Sequence, residues 1–93
     1  MHEVPDQIML QLAQLAPCYR NPDNTDIDEF ASRMKQKMYL SGLKGRSGWR
    51  DASAETISQM LIEHIAKGDP VDVANFCMML YIKGERINVT NLK

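Results

Sequence analysis

Three observations place this chain in the all-α class, as a small four-helix domain with a C-terminal helical hairpin. Apolar residues recur at helical spacing in four separate segments. A helix stop and a helix start stand side by side at Lys67, Gly68, Asp69 and Pro70. No segment alternates apolar and polar residues long enough to specify a strand. With 93 residues the chain makes one domain, 1–93. A chain of this size buries only about 60–65% of the surface its unfolded form exposes. Self-association is a natural supplement to so small a core.

The first helix is expected over 5–16. Pro5 suits a first helical turn, where its missing N–H costs little. Ile8, Leu12 and Leu15 share a face with Met9 beside them, and Pro17 ends the run. A loop of Asn, Asp and Pro follows. The second helix is expected over 26–41, with Thr25 as N-cap and Asp28 three residues on. Its apolar stripe is Ile27, Phe30, Ala31, Met34 and Met38. Acids in its first turn and bases in its second half suit the helix dipole, and Gly42 is a candidate C-cap.

Residues 42–52 read as a linker without regular structure. It is rich in Gly and bases and holds the chain's only tryptophan, Trp49. The third helix is expected over 54–67, capped by Ser53, with Ile57, Met60, Leu61 and Ile65 as its apolar face. Gly68 supplies the left-handed residue that closes it. Asp69 then caps the fourth helix, 70–83, with Pro70 in its first position. A turn this short makes the two helices neighbours. The fourth helix is apolar almost all round. Asp72, Asn75, Met79 and Lys83 form one narrow stripe, the only candidate for an outward face. The tail, 85–93, with Ile87, Val89 and Leu92, is expected to be a short strand or mobile.

Composition excludes several function classes. The apolar share of 44% and charged share of 25% are globular, and the net charge of -1 gives no bulk attraction to nucleic acid or membrane. The charges are nevertheless segregated. Residues 1–31 carry Glu3, Asp6, Asp23, Asp26, Asp28 and Glu29 against Arg20 alone. Residues 33–50 carry Arg33, Lys35, Lys37, Lys44, Arg46 and Arg50 and no acid. Cys18 and Cys77 lack metal-ligand spacing, and Cys77, in an apolar run, reads as a small hydrophobe. No signal peptide and no membrane span is expected, so the localisation expected is cytoplasmic.

The constellations point to binding more than to chemistry. A DNA-reading helix pair is disfavoured, because the fourth helix offers Asp72, Asn75 and Met79 where a recognition helix needs donors. Arg46, Trp49 and Arg50 form the better nucleic-acid candidate, a ring to stack on a base and guanidinium groups to meet phosphates. The simpler role for Trp49 is to fill the core beside the third helix. His64 lies near Glu63, Asp69 and Asp72, a set that suits a nucleotide hydrolase. Those acids, however, mostly occupy first turns as caps, and HExxH is absent. No catalytic residue, cofactor or metal is assigned. The seven methionines, with Phe76, Met78, Met79 and Tyr81 on a helix that has more apolar faces than a small domain covers, suit a protein contact surface.

The stretch 45–51 (GRSGWRD) and the run 60–80, with its H-x-x-K-G-D-P-x-D-V-A-x-F-x-M-M element, resemble a segment of small early-region proteins of enterobacterial phages and prophages, of Ead-like type. The segment is also similar to one attached to MazG-like dATP/dGTP pyrophosphohydrolases. The resemblance covers about the C-terminal half. It implies a phage accessory protein. The expected partner is a second copy or a host protein, bound through Phe76, Met78, Met79 and Tyr81. Nucleic acid at Arg46, Trp49 and Arg50 is the alternative, and a nucleotide pyrophosphohydrolase relative the second alternative.

Overall fold

The structure is a computed structural model, and it describes residues 20–88. The predicted helix 5–16, Cys18 and the tail residues 89–93 lie outside the described residues. Between them stand three α-helices and one 3-10 turn, with no strand among the described residues.

Helix α1 is Asn24–Leu43, longer at both ends than expected. At its start the Asn21 side-chain oxygen accepts the Asp23 N–H at 2.8 Å, and Asn24 donates to the Asn21 carbonyl at 3.0 Å. This turn is already helical at Asp23, so Thr25 falls inside the helix and does not cap it. At the other end Gly42 stays helical. Gly45, at φ 79°, takes the left-handed position. The Gly45 N–H then reaches the Gly42 carbonyl at 3.0 Å, and the Arg46 N–H reaches Ser41 at 2.9 Å. That paired bonding pattern satisfies carbonyls a helix end would otherwise orphan.

The supposed linker contains regular structure, because Gly48–Asp51 forms a 3-10 turn. The turn exists because Trp49 packs against the core and pins it. Helix α2, Ala54–Lys67, begins as expected: the Ser53 hydroxyl accepts the Thr56 N–H at 3.1 Å. Gly68, at φ 81°, closes it. The Asp69 carboxylate then accepts the N–H groups of Val71 and Asp72 at 2.9 and 3.4 Å and opens α3, Pro70–Ile82.

Helix α3 is the centre of the fold, since it packs against both α2 and α1, which have little contact with each other. The core is Ile57 and Leu61 from α2 with Phe76, Met79 and Leu80 from α3. The buried face of α2 is rotated from the expected one. Ile57, Ser58 and Leu61 are buried, while Met60 and Ile65 are exposed. Ser58 faces inward because its hydroxyl accepts the Asn88 N–H at 2.8 Å, holding the returning chain against α2.

The polar stripe of α3 is the main correction. Its first two members, Asp72 and Asn75, face α1, Met79 turns into the core, and Lys83 donates to the Arg50 carbonyl at 2.6 Å. Asp72 lies 3.4 Å from the Lys37 ammonium, Asn75 donates to the Met34 carbonyl at 3.2 Å, and Met79 is buried. Two polar pairs, Lys37 with Asp72 and the Met34 carbonyl with Asn75, join the helices across the crossing, which periodicity alone does not reveal. Cys77, read as a small hydrophobe in an apolar run, lies exposed. No helix among the described residues is long and apolar enough to cross a membrane.

Candidate functional site

Because α1 and α2 both lean on α3 and not on each other, two depressions flank Trp49. The first is a cleft of about 420 Å³ between α1 and α2, with α3 as its floor and the 3-10 turn as its end wall. Its apolar walls include Met38, Trp49, Ile57, Met60, Phe76 and Met79; Lys37, Arg46, His64, Asp72 and Asn75 supply polar groups. The second is a more open groove between α1 and α3. Ala31, Met34, Met38, Met78 and Ile82 give it an apolar bed. Lys35, Arg46 and Arg50 stand along it, and no acid does among the described residues.

Most of the cleft's charged groups are already committed. The Lys37 ammonium donates to Asp69 at 2.7 Å and lies near Asp72. That hydrogen bond to Asp69 raises the Lys37 pKa, with both carboxylates adding attraction. The same bond, helped by the Val71 N–H, holds the Asp69 carboxyl below its ordinary range. Asp69 is thus at once a helix cap and an inter-helix tie. The His64 ring nitrogen Nδ1 sits 2.7 Å from the Met60 carbonyl. A carbonyl can only accept, so Nδ1 carries the proton and Nε2 is the ring's acceptor when neutral. The ring also lies against Phe76, centroids 4.8 Å apart and tilted by 54°. The acids grouped with His64 in the sequence therefore diverge: Asp69 and Asp72 turn to Lys37, and Glu63 bonds to Gln59. Among the described residues no cluster of three metal-ligating side chains forms.

The nucleic-acid candidates are held together but partly spent on each other. The Arg50 guanidinium lies 4.3 Å from the Trp49 ring centroid, a cation–π contact that covers one face of the ring. Trp49 is half-buried against the core. Arg46 makes no side-chain hydrogen bond or ion pair among the described residues. The four proposed partner-contact residues do not form one surface. Phe76 and Met79 are core residues, at 8% and 9% exposure, because α3 turns them toward α2 and the cleft. Met78 is half-buried in the groove, and Tyr81 is 81% exposed.

Sequence reasoning missed Asn75. It is 5% exposed, lines both depressions, and its buried Oδ1 accepts no hydrogen bond from the described residues. The signal that would have found it is its position: one polar residue between Ala74 and Phe76 in an otherwise apolar run. No protein-family model, curated protein or solved structure matches this chain.

Proposed function

We propose that this chain is a phage- or prophage-encoded accessory protein that works in the host cytoplasm by binding a protein through the α1/α3 groove, without catalysis. The observation that carries the reading is the groove's character: an apolar bed with Lys35, Arg46 and Arg50 along it and no acid. Such a surface complements an apolar segment flanked by acids, since charge placement steers and selects partners while buried apolar anchors hold them. The resemblance of residues 45–51 and 60–80 to Ead-like phage proteins supports the setting. Ile82, 63% exposed at the groove, is the accessible anchor on α3. The partner is a host protein with such a segment. A second copy, whose residues 1–31 are strongly acidic, meets the same description.

Sedimentation velocity and pull-down from a lysogenic host test this, comparing wild type with Met78→Arg and Ile82→Arg. The expected result is a dimer or a host complex that both variants weaken at least tenfold while remaining helical by circular dichroism. A monomer at every concentration, together with host-protein capture indifferent to both variants, overturns the reading. Nucleic-acid binding through Arg46, Trp49 and Arg50 is the second reading, favoured by the same unopposed cations. It requires salt-dependent binding that Arg46→Ala weakens.

A further inference from the structure

The apolar stripe of α1 carries an inference about what fills the groove. Ile27, Ala31, Met34 and Met38 recur at helical spacing on one face of this 20-residue helix, yet no residue of the helix is buried. Ala31, Met34 and Met38 line the groove and are half-buried. Ile27, where the stripe runs on toward the helix start, is 60% exposed. A helix with such a face gains most of its stability by packing it against another element. We infer that the occupant is residues 5–16 of the same chain, laid into the α1/α3 groove as an intramolecular helix.

Reach, pattern and charge each point to that segment. The chain enters α1 at Asn24, and residues 17–23, a connection of seven residues, join it to the expected helix 5–16. Links of about two to eight residues ordinarily join adjacent antiparallel helices. At about 1.5 Å per residue the expected helix is about 18 Å long, and α1 runs about 21 Å from Asn24 to Met38. Folded back along α1, Leu12 and Leu15 come beside Ile27 and Ala31, and Ile8 comes beside Met34. Glu3 and Asp6 then fall toward Lys35 and Arg46. Residues 1–19 hold those two acids and no Lys or Arg. Lys35 and Arg46 have no ion pair among the described residues, and no acid lines the groove among them. The same chain has the advantage over a second copy, because so short a connection gives an effective concentration on the order of millimolar. Seated there, the segment must be displaced before the groove takes a partner, a consequence that rests on the groove being the partner site.

The test compares the full wild-type chain with Leu12→Arg, which puts a charge on the segment's apolar face. Methionine-methyl NMR reads it, because Met34 and Met78 line the groove and not the cleft, and Met60 lines the cleft and not the groove. Leu12→Arg should shift the Met34 and Met78 signals and leave Met60 in place. Unmoved Met34 and Met78 signals overturn the inference. Cross-linking then separates the same chain from a second copy. In a Cys18→Ser, Cys77→Ser background, Ile8→Cys with Met34→Cys should close within one chain under oxidised glutathione. It should do so about tenfold faster than Ile8→Cys with Ile65→Cys, a control at an exposed position of α2. Disulfide-linked dimers in place of closed monomers, or no advantage over the control, also overturn it. Host-protein capture is read in parallel. A segment seated about nine-tenths of the time lowers apparent partner affinity about tenfold, so Leu12→Arg should raise capture by about that factor. Shifted methyl signals with unchanged capture leave the docked segment standing and count against the groove as the host-binding surface.

Discussion

Replacing Asn75 with leucine should stabilise this protein, although it removes a buried hydrogen bond. Three contributions decide the sign. The lost bond, Nδ2 to the Met34 carbonyl at 3.2 Å, is worth about 0.5–1.5 kcal/mol. Its loss leaves no orphan, because the Met34 carbonyl keeps its place in the α1 ladder. Against this, the buried Oδ1, without a partner among the described residues, costs about 1–3 kcal/mol, and leucine removes it. Leucine has nearly the same branched shape, so the site needs little repacking, and two methyl groups replace polar atoms in a wall that Asn75 shares with Met38 and Phe76. The balance is a gain of about 1 kcal/mol, equivalent to about 4–8 °C in a domain of this size. Thermal unfolding followed by far-ultraviolet circular dichroism and by Trp49 fluorescence reads it. Asn75→Ala, which also opens a cavity, should be destabilising and separates the polar effect from the steric one. If Asn75→Leu is destabilised by more than about 1 kcal/mol, Oδ1 has a protein partner in solution and the energetic argument loses its foundation.

Two further predictions rest on burial and charge. Leu80→Ala, at a position 2% exposed, should cost about 2–5 kcal/mol in urea unfolding. Ile65→Ala, at 56% exposure, should cost less than about 1 kcal/mol although the helical pattern places it on the apolar face of α2. The Lys37–Asp69 tie sets the pH dependence. Asp69 is held below its ordinary 3.8, so its contribution is present above that value and is lost as pH falls through the lowered pKa. Lys37 is raised above 10.5, so its contribution is present below that value and is lost as pH rises through the raised pKa. Melting temperature against pH should therefore show a plateau between those limits. Asp69→Asn should lower the plateau and remove its share of the acid fall, and an unchanged acid limb in that variant would refute the assignment.

The hairpin was legible because its instructions are local. Ser53, Gly68, Asp69 and Pro70 each act on backbone groups within three or four residues, so their effect does not depend on what lies across the fold. Where a local reading failed, a nearby alternative of comparable strength won. Asn21 displaced Thr25 at the start of α1, and Gly45 displaced Gly42 at its end. The 42–52 stretch was misread for a different reason. Its glycines suggest irregular chain, but a single ring, Trp49, has enough apolar area to pin a turn against the core.

By itself, then, the sequence determined helical class, the junction between α2 and α3, and the block of bases without acids. Each follows from periodicity, capping or charge order along the chain. Only the tertiary structure decided which face of each helix is inside. A helix wheel ranks faces by polarity, and α3 is apolar on nearly all of them, so the choice fell to contacts made across the chain. Lys37 drew Asp72 inward and the Met34 carbonyl drew Asn75, which turned the expected outer stripe into the floor of a cleft. Those partners lie 35 and 41 residues apart in the chain (72 − 37 and 75 − 34), beyond the reach of any local pattern. The same crossing left α1 and α2 apart with Trp49 between two depressions, and that spacing, not any motif, makes the candidate sites.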